Sequence, residues 1–437
     1  MPDRPVLDRY TSPEMAAIWS DQRTLALWRE VELAVLEAWT HAGAATAATL
    51  AAARAVPAPS PREVAEEERR TRHDVVAFVN VWTAPMPSAV ARWVHRGVTS
   101  SDIVDTATGL RLAQVSDLLV TAADRLVAVL RDHALAHQRT VQVGRTHGQH
   151  AAPTVWGLRV ADFAFAVARC RDRLAEARGS VAVAKISGPV GSYAGLGPDL
   201  EQRVASALRL LPSPVSTQVV MRDSIAHWMS CLALLATVCE AIALEVRHGA
   251  RSEVAELAES FRDGQAGSSV MPHKRNPVTA EKICGLARVV RGYVNPVMEG
   301  VALWHQRDIS HSSVERVCLP DASAILEHLL RSTAELVTDL VVDSDRMRAN
   351  LAAAGSTVFS HAALEILLDS GLDRQRAYAL IQNRAHAGAN GSLLTSLQAA
   401  ALADGIDIPP GRWAAITDLD RELAEVGAVF DRLRSLR

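Results

Sequence analysis

No proline interrupts residues 215–271, and within that stretch Trp228, Leu232, Leu235, Cys239, Ile242 and Val246 recur at alternating spacings of four and three. A helix interior tolerates proline poorly, because the ring lacks an N–H and clashes with the preceding turn. A proline-free run with this seam is best satisfied by one long helix carrying all six side chains on a single stripe. Residues 88–152 are also free of proline, with Val115, Leu119, Ala122, Leu126, Val129 and His133 at the same alternating spacing. Neither stripe can bury itself, so the two predict a bundle. Cys239 reads as core packing, without chemistry.

Shorter helices are expected on either side. The first hundred residues are broken by Pro57, Pro59 and Pro61, and the chain after Asp343 carries turn signals at Gly388-Ala389-Asn390-Gly391 and Pro409-Pro410-Gly411. Strand alternation is weak, apart from a short hairpin expected around Lys185 to Tyr193. The reading is mostly α in three parts: an N-terminal helical domain (1–104), a central long-helix bundle (105–343) and a small C-terminal helical domain (344–437). A chain of 437 residues can support such a division. With 49% hydrophobic and only 4% aromatic residues, the interior should be Leu, Val and Ala rather than stacked rings.

Net charge is −3 and neither sign collects in a tail, which argues against nucleic acid or an acidic membrane as partner. The five cysteines, Cys170, Cys231, Cys239, Cys284 and Cys318, are odd in number and far apart, as expected of reduced thiols rather than a disulfide framework. Met-Pro-Asp-Arg-Pro at the N-terminus lacks the basic and apolar regions of a signal peptide, and no uninterrupted apolar run of membrane-spanning length is read. The expectation is a soluble, cytoplasmic protein.

Chemistry concentrates at residues 265–277, Gln-Ala-Gly-Ser-Ser-Val-Met-Pro-His-Lys-Arg-Asn-Pro. This Gly-led loop gathers the hydroxyls of Ser268 and Ser269, the ammonium of Lys274 and the amide of Asn276. Among 46 Lys and Arg residues, lysine occurs only at Lys185, Lys274 and Lys282. A compact ammonium suits a carboxylate held at close quarters better than a planar fork does.

The same loop is similar to the signature of the fumarase/aspartase superfamily of lyases, and its His-Lys-Arg-Asn-Pro version is nearest to that of the adenylosuccinate lyase family. Further stretches resemble that family, in its order: Asp8-Arg9-Tyr10, Arg72-His73-Asp74, Trp93-Val94-His95 leading to Thr99-Ser100-Ser101-Asp102, Gly144 to His150, Lys185-Ile186-Ser187-Gly188, and Trp304 to Ser313. The resemblance implies a three-domain lyase whose tetramer core is built from the central bundles, with composite active sites and no cofactor. It implies β-elimination of fumarate from an N-succinyl substrate. Such chemistry needs a base beside a carboxylate, fixed positive groups for the dianion that develops, and an acid for the departing nitrogen.

By resemblance, the base is Ser269, with Ser268 as the alternative, and the acid is His147. His73 and His95 match the two other active-site histidines, His73 as the partner that orients or polarises His147. Lys274 and Asn276 would grip one substrate carboxylate. Thr99 and Ser100 would hold the other, at the start of a helix expected from about Ser101. Gln218 matches a substrate contact and Glu281 a support for His147. Arg9, Tyr10, Arg307, Ser312 and Arg316 match the residues that hold a nucleotide phosphate. His150, His305 and His311 lie in three separate contexts without ligand spacing, so no metal is expected.

The chain departs from the family at Arg222-Asp223-Ser224-Ile225-Ala226-His227, at Ser360-His361-Ala362-Ala363 and at Pro189. Two alternatives to adenylosuccinate cleavage therefore stay open: a lyase releasing fumarate from a different N-succinyl donor, and a non-catalytic structural relative.

Overall fold

The computed structural model describes residues 8–261, 271, 273–386 and 392–436, and it is mostly α-helical. Its long helices are Ser100–Ala136, Trp156–Val181, Asp223–Gly249 and Ser310–Thr338. The expected seam of the third helix is core, with Trp228, Leu232, Leu235 and Cys239 fully buried, whereas on the first Val115, Leu119 and Leu126 are fully buried but Ala122, Val129 and His133 only half-buried. The third helix stops well short of residue 271. Ala255 takes a left-handed φ of 52°, and Leu257–Ala258 then pairs antiparallel with Val341–Val342.

By length and composition Asp223–Gly249 is apolar enough to cross a membrane, with a mean hydropathy of 1.9 over an 18-residue window, although Glu240 and Glu245 interrupt its apolar run. A core helix of a soluble protein meets the same test, and its seam is packed inside the protein.

The chain divides into two compact units, one formed by Met1–Asp124, Arg169–Glu240 and Ile283–Arg331, the other by Arg125–Ala168, Ala241–Lys282 and Ser332–Arg437. In the first, hydroxyl caps start successive short helices: Ser12 for Pro13–Trp19, Ser20 for Asp21–His41, Thr46 for Ala47–Ala55. Ser60 starts Pro61–Thr71 as a capping box with Glu63, so Pro61 opens a helix rather than merely breaking one. The core here is not free of rings. Trp28 meets Phe78 edge-on at 5.6 Å, and Phe78 stacks on Trp82 at 5.7 Å. Three aromatics meet here, where burial of Phe78 alone stabilises by about 2–3 kcal/mol.

The hairpin expected at Lys185 to Tyr193 is absent. Val183–Ala184 instead pairs in parallel with Leu211–Pro212, and the following residues turn through Gly188 and Gly191, both at positive φ. Their backbone is used elsewhere: the Ile186 amide donates to Glu201 at 2.8 Å and the Lys185 amide to Thr106 at 3.0 Å.

The real hairpin lies in the second unit, Val141–Thr146 against Gln149–Val155, with an irregularity at Gly144. Its Val143 joins a core with Leu351, Val358, Phe359, Leu367, Leu397 and Trp413 from the C-terminal helices. The run Arg-Thr-His-Gly-Gln-His shows no apolar alternation, which is why periodicity missed it.

Candidate active site

In the first unit, Thr99 and Asp102 start the helix Ser100–Ala136 by exchanging bonds: the Thr99 amide donates to Asp102 Oδ2 at 2.7 Å and the Asp102 amide to Thr99 O at 3.0 Å. Asp102 Oδ1 accepts from Lys185 Nζ at 2.6 Å and from the amides of Ser187 and Gly188 at 3.0 and 3.1 Å. Lys185 also donates to Gly188 O at 2.6 Å, and both charged side chains are wholly buried. One of the three lysines is therefore an internal clasp holding the Thr99-Ser100 turn against the Lys185-Ile186-Ser187-Gly188 segment. A buried ammonium is tolerable only with such partners.

His73 follows Arg72, which ends the preceding helix in a left-handed conformation. Its ring Nδ1 caps the helix Asp74–Thr83 by accepting from the Val76 amide at 3.5 Å, and its Nε2 lies 3.4 Å from Ser100 Oγ. Two residues predicted from far apart in sequence thus meet. His95, at φ 57°, has its amide and Nδ1 on the two oxygens of Glu32, at 2.9 and 2.7 Å. Burial alone would lower the His95 pKa, but the hydrogen bond and charge of Glu32, with the charge of Asp102, outweigh it and raise it. Glu32 was missed from the sequence. Its signal is an acid placed among Val31, Ala34 and Val35 on a buried helix face.

The phosphate candidates divide into groups. Arg307 Nη1 reaches Gln218 Oε1 at 3.3 Å, and Arg316 Nη2 pairs with Asp74 Oδ2 at 2.5 Å, next to His73. Ser312 sits in the first turn of Ser310–Thr338, a helix whose start is held by Asp308 accepting from the Ser310 amide at 2.9 Å. The Ser310 hydroxyl, then the amides of Trp304 and Ser310, donate to Asp308 and pull its pKa down to about 2. Arg9 and Tyr10 lie on the turn Asp8–Tyr10, where Arg9 is exposed and Tyr10 packs 5.1 Å from His328.

In the second unit, His147 and Gly148 form the two-residue hairpin loop, both at positive φ (54° and 75°), as a tight turn matched to strand twist demands. His147 is exposed at this tip. Two residues below it Arg145 grips Glu256 with two bonds of 2.8 and 2.7 Å, and Asn350 donates to the same carboxylate at 2.8 Å. The staple fixes the hairpin that presents the candidate acid.

Ser268 and Ser269 lie outside the described residues. Lys274 is exposed and its amide donates to Met271 O at 3.0 Å, while Asn276 is half-buried. Arg275 stacks 5.4 Å over Phe261. Glu259 caps the helix Val278–Gly292 through the amides of Thr279 and Ala280, at 3.1 and 2.8 Å. Glu281 is exposed on the first turn of that helix, and among the described residues no hydrogen bond joins it to His147. Glu256 and Glu259, seated where the chain enters the signature loop, are the supports that sequence reasoning did not find.

Residues 9–292 match the sequence model of a family described as lyase. The chain belongs to this lyase family, the fumarase/aspartase type. It is 42% identical to the adenylosuccinate lyase of Synechocystis sp. over 381 residues, 87% of this chain and 88% of that one. Identity to the adenylosuccinate lyases of Bacillus subtilis and Deinococcus radiodurans is 41% and 43%, again over 87% of this chain, and over 88% and 89% of theirs. Among solved structures, a 3-carboxy-cis,cis-muconate lactonizing enzyme from Pseudomonas putida superposes with a TM-score of 0.87 at 27% identity, covering 99% of this chain and 98% of that one. A fumarate lyase from Mesorhizobium sp. has the same fold, with a TM-score of 0.87 at 24% identity over 98% and 99% of the two chains.

Proposed function

We propose that the chain is a carbon–nitrogen lyase that eliminates fumarate from an N-succinyl substrate, adenylosuccinate in the first place, giving AMP. The succinylated aminoimidazole carboxamide ribotide is the second substrate. The observation that carries this reading is identity of 41–43% to three adenylosuccinate lyases across 87% of the chain.

Ser269, with Ser268 as the alternative, takes the proton from the carbon beside a carboxylate. The electron pair left behind forms the new C=C bond, the C–N bond breaks, and His147 returns a proton to the departing nitrogen. A serine acts as base only as an alkoxide among fixed donors away from water. Lys274 and Asn276 hold the carboxylate whose charge grows, and Thr99 and Ser100 hold the other through hydroxyl and helix-start donors. Arg9, Tyr10, Arg307, Ser312 and Arg316 take the phosphate, beside Gln218.

The active form is a cytoplasmic homotetramer with composite sites. Leu234, Val289, Met298 and Val317 leave apolar side chains exposed on helices of the single chain, which supports association. A second reading, a different N-succinyl donor, is favoured by the departures at 222–227 and 360–363. In this chain His361 pairs with Glu422 at 2.7 Å.

Fumarate release from purified protein given adenylosuccinate, run beside Ser269→Ala and His147→Ala, tests both. Turnover should be lost in the serine variant and fall by about 10²–10⁴ in the histidine variant. A folded tetramer inert toward adenylosuccinate sinks the purine assignment. If Arg307→Ala and Arg316→Ala barely affect turnover of another succinyl donor, the second reading replaces it.

A further inference from the structure

Gln218 lies on an irregular segment, residues 213–222, with no helix or strand of its own to aim it. What locates the segment is a cluster of buried charge. Val220 donates its amide to Asp105 Oδ2 at 2.8 Å. Arg222, nearly inaccessible, grips Asp105 with two bonds of 2.8 and 2.7 Å, reaches Val220 O at 2.8 Å and sends Nε to Glu315 Oε1 at 2.9 Å. Thr217 Oγ1 donates to Gln306 O at 2.6 Å, beside Arg307.

One guanidinium therefore joins three pieces of chain, each bearing candidate ligands. Asp105 is on the helix that starts at Ser100. Glu315 is on the helix that carries Ser312 and Arg316. Arg222 itself ends the segment that carries Gln218.

The charges do not balance locally in the usual way. Arg222 is shared by two carboxylates, and its doubly bonded partner is Asp105. Among the described residues Arg307 makes no ion pair, and its Nε is buried without a hydrogen-bond partner, as is Nδ1 of His311. Among the described residues, the charges that act most on Glu315 are Arg222 from the preceding segment, Asp105 from the helix Ser100–Ala136 and Arg307 from its own side, while His311 feels Arg222, Asp105, Arg307 and Asp308. Burial and the Asp105 charge outweigh Arg222 and raise the Glu315 pKa to about 7, while burial and the charges of Arg222 and Arg307 lower that of His311 to about 4. Near neutrality His311 is uncharged and Glu315 is the group that changes. Ionised, it offsets the field of Arg307; protonated, it leaves that cation to an anion.

We infer that Arg222 is the positioning residue that holds Gln218 and Arg307 in register at an anion site, and that Glu315 takes up a proton when an anion occupies it. The inference rests on the reading of Arg307 and Ser312 as anion ligands, and it adds a proton to binding that the elimination itself does not require.

Sulfate is the probe, because it does not titrate in this range and needs no turnover. Calorimetric titration of the full chain, in two buffers of different ionisation heat, reads affinity and proton uptake together. Wild-type affinity should fall by about three- to tenfold between about pH 6 and about pH 8.5, with proton uptake largest near neutrality. Glu315→Gln, which keeps the shape and stays neutral, should bind with the low-pH affinity throughout and take up no proton. Arg222→Lys keeps the charge but loses the fork, and should weaken binding about tenfold at every pH. A Glu315→Gln protein with the wild-type pH slope overturns the inference, as does wild-type protein that fails to bind sulfate at low pH. Sulfate binding without fumarate release would sink the proposed reaction and leave this inference standing.

Discussion

Removing either half of the Lys185–Asp102 clasp should be among the most destabilising single changes in this chain. Asp102 accepts four donors, from Thr99, Lys185, Ser187 and Gly188, at 2.6–3.1 Å, and neither charged side chain has any solvent exposure. In Lys185→Met the carboxylate keeps three amide donors but loses its counter-charge. In Asp102→Asn the ammonium keeps Gly188 O and an amide oxygen but faces no negative charge. Stranding one charge of a buried pair costs about 3–5 kcal/mol, roughly a 10²- to nearly 10⁴-fold loss in the folded-to-unfolded ratio. The double variant strands neither charge, so it should recover about 2 kcal/mol or more of the summed losses as coupling energy. Urea unfolding at one fixed protein concentration measures all four proteins, since subunit association would otherwise move the midpoints. Single variants that each cost under about 1 kcal/mol, or losses that simply add, would show that the pair is not the clasp described.

His133, which accepts from Trp156 Nε1 at 3.1 Å, has its pKa lowered to about 4 by burial and by neighbouring His137. The unfolded chain then takes up the proton first, so His133 stabilises fully above about pH 6.5 and loses at most about 3 kcal/mol on descent to about pH 4, a slope that His133→Phe should remove from acid unfolding curves. Glu32→Gln should lower the His95 titration midpoint read by NMR, because the carboxylate that raises it is gone. The stabilisation from that pair is present below the ordinary histidine range and fades as pH rises through the raised midpoint, so the variant's stability should depend less on pH there. Gly109→Ala, normally a gain of about 1 kcal/mol inside a helix, should instead destabilise by about 1–3 kcal/mol in thermal unfolding. Its Cβ would lie 2.3 Å from Val183 O and 3.1 Å from Val183 N, backbone atoms that cannot step aside.

The long helices were legible because their cause is local: proline is excluded and apolar residues recur every three or four positions over many turns. The hairpin that carries His147 was not, because its strands are short and its tip polar, and its stability comes from Val143 in the C-terminal core and from Arg145 on Glu256. Lys185 stood out as a rare residue in a motif, yet its partner is 83 positions away and nothing in either segment announces the other.

By itself the sequence determined the helical class, the lyase family and the residues of the signature loop, since motifs and periodicity are properties of neighbours along the chain. Only the tertiary structure decided that Ser100 meets His73, that Glu32 raises the pKa of His95, and that Arg222 joins the segments of Asp105, Gln218 and Glu315. Those are matters of burial and of charge at contact distance. A carboxylate's pKa and partner depend on what surrounds it after folding, and that environment is made by residues the chain brings together from far apart.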